Sequence, residues 1–246
     1  MTQPHNPLEG SRPELTVDLH DGSDEQVSII VIHRNTPDYL NICLQSIHIL
    51  SNMNNYEVIV VDNNSDQETQ EYLNDLEAEG IKVVRNDENL WWSEACNRGV
   101  RAADKHSKYF VFLHSDVVVL NSGWIDLLIN VSESQGSGLV GIEMASYSVQ
   151  GNKTDFIQEW CMLMTRECFE DIGPWPAALP MIGHSFVMSM RAQVKGYKPQ
   201  CMRNPVVHHY KYFGLDPSEY ERMAEDAMIS IPKLMKESMA GLYTLN

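Results

Sequence analysis

Tyr109-Phe-Val-Phe-Leu-His-Ser-Asp116 decides how the rest of the chain is read. Its unbroken apolar run fits a strand covered on both faces, as the strands of a parallel sheet are. The run ends in a His-x-Asp pair, so an imidazole and a carboxylate emerge together at the strand's carboxyl end. Open α/β sheets bind ligands at that end. Aspartate and neutral histidine are both competent metal ligands, and His114 with Asp116 could hold a divalent cation against a substrate's phosphates. Both residues would serve equally well as polar groups opening a surface loop. The remainder of the chain has to separate these readings.

Upstream, Val27-Ser-Ile-Ile-Val-Ile32 is a second near-continuous β-branched run. Thr36 and Pro37 supply a cap and a first-turn proline, and Leu40, Leu44, Ile47 and Leu50 then recur at helical spacing. Tyr56 to Val61 predicts another strand. Ser65 and Glu68 have the spacing of a capping box, followed by Tyr72, Leu73 and Leu76 on one helix face and Gly80 at its end. Ile81 to Val84 predicts a third strand, Ser93 to His106 a helix, and Gly138 to Ile142 a strand after a helix capped by Asn121 or Ser122. This alternation predicts an α/β fold with a Rossmann-like, mostly parallel central sheet flanked by helices. Beyond it, Glu159 to Met164 and Pro205 to Tyr210 predict strands. Helices are expected over Thr165 to Ile172, over His184 to Lys195, and from Pro217 onward.

Composition sets the chemical limits. The 246 residues are 43% hydrophobic, as in a soluble globular protein, and no run is long enough for a membrane span. Five scattered cysteines without a C-x-x-C suit free thiols in a reducing compartment, so a cytoplasmic location is expected. A formal net charge of −16 repels nucleic acid and anionic lipid, and no nucleic-acid partner is expected. A phosphate-bearing ligand would need local compensation. Arg191, Lys195, Lys198, Arg203 and Lys211 make the second half comparatively basic. Homo-oligomerisation stays open.

Other strand ends carry further candidates. Asp62 stands where the second strand meets a helix, placed to accept hydrogen bonds from a base or ribose, or simply to cap that helix. His33, Arg34 and Asn35 close the first strand in the same way. In Asn86-Asp-Glu-Asn-Leu-Trp-Trp-Ser-Glu-Ala-Cys-Asn-Arg-Gly99, the small residues Ser93, Ala95 and Gly99 allow a helix to approach its neighbours closely. Asn89 and Asn97 add neutral hydrogen-bonding groups and Arg98 a fixed cation. Trp91 and Trp92 read as packing residues.

Together these segments resemble the family 2 glycosyltransferases of the GT-A fold, over about residues 27 to 210. Ser28 to Leu40 resembles that family's first strand and turn, and Val60-Val-Asp-Asn-Asn-Ser65 its second-strand motif. Asn89 to Gly99 is similar to its Asn-x-Gly-x-x-x-Ala-x-Asn-x-Gly segment, and Phe112-Leu-His-Ser-Asp116 falls on its Asp-x-Asp motif. Trp160-Cys161, Arg166 to Gly173 and Gly196-Tyr-Lys198 match its second half. The resemblance implies transfer of a sugar from a nucleotide-diphospho-sugar to a glycan or other hydroxyl acceptor, usually with inversion and with Mn2+ or Mg2+ bridging the diphosphate. It implies donor contacts at His33, Asn35, Asp62, Asn89, Asn97, Arg98 and Ser115, and metal ligation by His114, Asp116 and His208. The implied organisation is an arm over 1–25 and a GT-A domain over 26–212, with a helical tail over 213–246. Within the domain, 26–120 would be the nucleotide-sugar half and 121–212 the acceptor half.

Two departures stand out. The first Asp of the metal motif is His114. The Glu-Asp pair that usually provides the base falls on His184-Ser185. Proton removal from the acceptor then falls to His184, or to Glu159, Asp155 or Glu94 reaching the site from elsewhere. The alternative is a catalytically silent nucleotide-sugar-binding module of the same fold.

Overall fold

The computed structural model describes residues 27–51, 55–149, 152–202, 207–210 and 217–243. The expected arm 1–25 lies outside the described residues, as do Arg203 and Lys211. The first half runs β1 (Val27–His33), α1 (Pro37–Leu50), β2 (Tyr56–Asp62), α2 (Gln67–Ala78), β3 (Lys82–Arg85), α3 (Trp91–Ala102), β4 (Tyr109–His114) and β5 (Val117–Val119). Next come α4 (Trp124–Gln135), β6 (Leu139–Gly141), β7 (Met144–Val149), β8 (Asn152–Ile157), β9 (Cys161–Thr165) and α5 (Arg166–Ile172). The chain closes with α6 (His184–Val194), β10 (Gln200–Cys201), β11 (Val207–His209) and α7 (Pro217–Tyr243).

Seven strands form one sheet in the order β10-β6-β9-β4-β1-β2-β3. β1 lies parallel to both β2 and β4, and β2 to β3, while β9 runs antiparallel between β4 and β6. The sheet is therefore mostly parallel, as expected. Strand alternation divides its core in two. Ile29 and Val31 pack with Val60, Val111 and Leu113 beneath α1, α2 and α4. Ile30 and Ile32 pack with Ile59, Val61, Phe110 and Phe112 beneath α3, α5 and α6. Helices on both faces explain why these strands read as unbroken apolar runs. On the outer side of α6, Phe186 and Val187 pack against Ala227 and Ile231 of α7. Among the described residues no helix is long and apolar enough to cross a membrane.

The register fixes where chemistry can occur. His33 lies opposite Asp62, Asp62 opposite Arg85, and Ile32 opposite His114. The hydrogen-bond ladder continues one residue past the strands, with Asn63 N donating to His33 O, Asn86 N to Asp62 O and Ser115 N to Ile32 O. All these strand ends consequently face one edge of the sheet.

Several local expectations change. Ser65 does not cap α2: Asp66 does, accepting from Thr69 N at 3.0 Å, because the Ser65 hydroxyl turns inward to the buried Asp62 carboxylate. Thr36 makes no side-chain cap, and α4 starts after Gly123 with no side-chain cap from Asn121 or Ser122. The β7–β8 hairpin and the three-residue β5 were not foreseen. Exposed polar residues interrupt the first, and the second is too short to show a period.

Gly99 sets the distance between α3 and the sheet. A Cβ built there would overlap Ile30 Cγ2 and lie 3.2 Å from Val61 Cγ2. Gly99→Val should lower the unfolding free energy by about 1–3 kcal/mol through overpacking, measured by urea denaturation. Wild-type stability in that variant would mean that the helix can move off the sheet.

Candidate functional site

A cavity of about 310 Å³ opens at the carboxyl edge of the sheet. His33, Arg34, Asn35 and Thr36 line it from the end of β1, and Asn63 from the end of β2. Asn89, Trp91 and Trp92 come from the start of α3, and His114, Ser115 and Asp116 from the end of β4. Glu159, just before β9, and His184, at the first turn of α6, complete its chemically active wall.

His114 and Asp116 sit on the turn between β4 and β5, and β11 pairs antiparallel with β5. That pairing sets His209 opposite Val117 and His208 opposite Val118. Alternation then points His209 inward with Val207 and leaves His208 exposed, its ring against Tyr210. The expected ligand His208 therefore lies away from Asp116, and its neighbour His209 is the one beside it. His209 Nε2 lies 3.2 Å from Asp116 Oδ1, and His114 Nδ1 lies 3.8 Å from the same oxygen. Ligand-capable atoms of His114, Asp116 and His209 all fall within 4.8 Å of one another. Trp160 stacks on the His209 ring at 4.9 Å and 15°, and its indole N–H donates to Glu143. Trp92 packs 4.5 Å from the His114 ring. Burial pushes the His114 imidazole down, against the opposing pull of Glu159 and Asp116, which favours the neutral, ligating form. Two imidazoles with one carboxylate suit a first-row divalent transition-metal ion better than Mg2+, which prefers oxygen.

Beside this triad stands a second pair. His184 Nε2 lies 3.7 Å from Glu159 Oε1, with side-chain exposures of 1% and 21%. Gly183 makes the approach possible: its φ of 81° turns the chain into α6, and a Cβ there would press on Ile231 of α7. Burial lowers the His184 imidazole to about 4, outweighing Glu159. Burial would raise the Glu159 carboxyl, but the attraction of His184 and His114, together with hydrogen bonds from its own backbone N–H and from the Ser185 side chain, holds it low. At neutral pH the pair is a neutral imidazole beside a carboxylate.

Not every expected residue reaches the cavity. Asp62 is fully buried behind it, engaged by Ser65 and by Gln70 Nε2 at 2.6 Å, and Asn63 takes its place on the wall. Asn97 bonds to the backbone of Trp175, and Arg98 Nη1 donates to Asn86 at 2.9 Å. Both residues tie α3 into its surroundings. Asp155 lies on the β7–β8 hairpin, 55% exposed and bonded to Ser146. Asn63, Trp91 and His209 were missed as wall or triad residues. Only His209 had a usable signal, its alternation with the apolar Val207.

A sequence model described as Glycosyl transferase family 2 matches residues 28–192. The O-antigen biosynthesis protein RfbC of Myxococcus xanthus is 21% identical over 221 residues. That match covers 75% of this chain, which spans only 17% of the relative's length. The mannosyltransferase PcManGT from Pyrobaculum calidifontis, solved with GDP-Man and Mn2+, has a TM-score of 0.62 at 14% identity, over 89% of this chain and 74% of that one. S. aureus TarS 1-349, solved with UDP-GlcNAc, gives 0.59 at 14% identity, over 89% and 71%. Full TarS gives 0.59 at 16% identity, over 84% of this chain and 39% of that one. At such identities these structures establish the fold.

Burial also lowers His33 to about 3, with Asp66 opposing. Neither ring nitrogen of His33 or His184 has a hydrogen-bond partner among the described residues. An unfolded histidine protonates near pH 6.5, whereas these two stay neutral in the fold. The unfolded state therefore binds more protons as the solution is acidified, and stability must fall from about pH 6.5 towards about 4. Each histidine contributes up to about 1.4 kcal/mol per pH unit in that window. Urea unfolding at stepped pH should show this slope, and His184→Gln should reduce it. An unchanged slope in that variant would mean that His184 is already charged in the fold.

Proposed function

The chain belongs to glycosyl transferase family 2, and on that footing we propose that it moves a sugar from a nucleotide-diphospho-sugar to a hydroxyl acceptor of a glycan. The observation that carries the reading is that His114 and Asp116, clustered with His209, line one wall of the cavity together with Glu159 and His184. The nucleotide sugars bound by PcManGT and TarS 1-349 support the donor class, and the O-antigen role of the Myxococcus relative supports a glycan acceptor.

The triad would hold a divalent cation, and Mn2+ fits its donor set. When bound, such an ion supplies Lewis-acid stabilisation to the negative charge growing on a departing diphosphate. The protein's own groups do the rest. His33, Asn35, Asn89 and Ser115 offer hydrogen-bonding groups to the nucleotide. Glu159 is the base, because it combines an ionised carboxylate with access to the cavity. As the acceptor oxygen bonds to the anomeric carbon and the bond from that carbon to the diphosphate breaks, the acceptor's proton passes to Glu159. His184 is a positioning residue that orients this carboxylate. The departure at His184-Ser185 thus leaves the site with a base supplied from a different segment, which is why turnover is favoured over silent binding.

Two measurements test this. Glu159→Gln should lower kcat by about 10²–10⁴-fold with donor KM little changed, in assays with UDP-, GDP- and dTDP-sugars. Donor binding by the wild type without turnover in any acceptor combination would instead establish the silent module. In calorimetric titrations without substrate, Mn2+ should bind more tightly than Mg2+. His209→Ala should weaken Mn2+ binding by at least about 10-fold, and His208→Ala should leave it unchanged. The reverse result would restore His208 as the ligand.

A further inference from the structure

Three non-glycine residues among those described have a positive φ: Asn35 at 55°, Asn64 at 57° and Trp91 at 58°. Asparagine tolerates the left-handed region because its short amide bonds locally. Tryptophan gains nothing there, and its backbone is strained. The surroundings hold it firmly. Trp91 N donates to Asn89 Oδ1 at 3.0 Å, and Trp91 O accepts from Asn63 Nδ2 at 3.0 Å. The next two amides, of Trp92 and Ser93, both donate to Pro180 O.

This strain does not serve the core. Of the 5 tryptophans in the chain, Trp92, Trp124, Trp160 and Trp175 are buried. Trp91 is half-buried, lines the cavity and has no ring–ring partner among the described residues. The strained turn thus directs a large flat side chain to a ligand-accessible wall.

The polar groups nearby narrow the ligand. The ionisable groups His114, Asp116, Glu159 and His184 line the side formed by β4, β9 and α6. Along β1, β2 and the start of α3 the wall carries His33, Arg34, Asn35, Thr36, Asn63 and Asn89, with Arg34 its one formal charge. Asn63 spends its amide on Trp91, Asn86 and Leu90. Asn35 and Asn89 use their Oδ1 atoms on the backbone of Asp66 and Trp91, while their Nδ2 donors take no partner in the described fold. His33 brings two ring nitrogens that also lack one. A π-face flanked by amide donors, an imidazole and the Arg34 guanidinium matches a flat heterocycle with hydrogen-bonding edges joined to an anionic group.

We propose that Trp91 is a stacking platform for the nucleobase of the donor, a positioning role that fixes the nucleoside end while the ionisable wall handles the diphosphate. The inference rests on the nucleotide-sugar reading above and adds a residue to it.

Trp91→Gly is the informative variant, since glycine adopts a φ of 58° freely and the fold has no backbone reason to fail. Wild type, Trp91→Gly and Trp91→Tyr are titrated with UDP, GDP, UDP-GlcNAc and inorganic pyrophosphate, each with Mn2+, by calorimetry and by quenching of tryptophan fluorescence. The expected result is a loss of nucleoside diphosphate affinity on the order of 10- to 100-fold in Trp91→Gly. Pyrophosphate affinity should be unchanged, most of the loss should be restored in Trp91→Tyr, and fluorescence quenching should disappear in Trp91→Gly. An equal loss for pyrophosphate, no loss for either nucleotide, or a loss confined to UDP-GlcNAc relative to UDP would overturn the proposal. Wild type that binds pyrophosphate but no nucleotide would overturn the nucleotide-sugar reading itself, and this proposal with it. A melting curve for Trp91→Gly at or above that of wild type excludes unfolding as the cause of lost affinity.

Discussion

The parallel, in-register pairing of β1 with β2 and β4 is the constraint on which the site depends. Parallel neighbours must end at the same edge, so His33, Asp62 and His114 leave the sheet side by side although long crossovers separate them in sequence. The helices that make those crossovers cover both faces and leave this edge as the place where backbone can open into loops. Ser115 N still reaches Ile32 O, so the turn bearing Asp116 is anchored to the sheet rather than hanging from it. Antiparallel β11 then closes the arrangement by carrying His209 back to Asp116.

Around this edge the molecule tolerates features that a core selected for stability alone would avoid. His33 and His184 are buried with no hydrogen-bond partner for their ring nitrogens among the described residues, and unsatisfied buried polar groups are costly. Trp91 sits in a backbone region that suits glycine. Trp91 is held by the Asn63 amide network and by the neighbouring amides on the Pro180 carbonyl, and His184 is packed against the rings of Trp92 and Trp175. Their concentration at one cavity, with a well-packed sheet behind it, matches the way functional sites store strain.

The altered carboxylate pattern has a coherent physical consequence. Replacing an acidic metal-motif residue by His114 lowers the negative charge around the triad in a chain that already carries −16, and shifts the donor set from oxygen to nitrogen. His184, standing at the start of α6, adds no charge of its own at neutral pH because burial keeps it neutral. Ionised Glu159 comes instead from the segment before β9, so the wall gains one carboxylate from outside the His184-Ser185 pair. The proposed chemistry therefore rests on a neutral histidine next to a carboxylate rather than on a pair of acids.

The sequence by itself determined the layered α/β fold, since apolar runs such as Val27 to Ile32 are stable only between two helical layers. It also put His33, Asn35, His114, Ser115 and Asp116 at strand ends on one edge, while Asn89, Glu159 and His184 entered only as candidates for the same site. Tertiary structure alone decided matters that turn on side-chain direction or on distant pairing. The register of β11 against β5 brought His209 rather than His208 beside Asp116, because a one-residue shift reverses every side chain of a strand. Buried donors from Ser65 and Gln70 turned Asp62 inward and left the wall to Asn63. The left-handed turn at Trp91 has no periodic signature, since it is imposed by hydrogen bonds from residues far away in the chain.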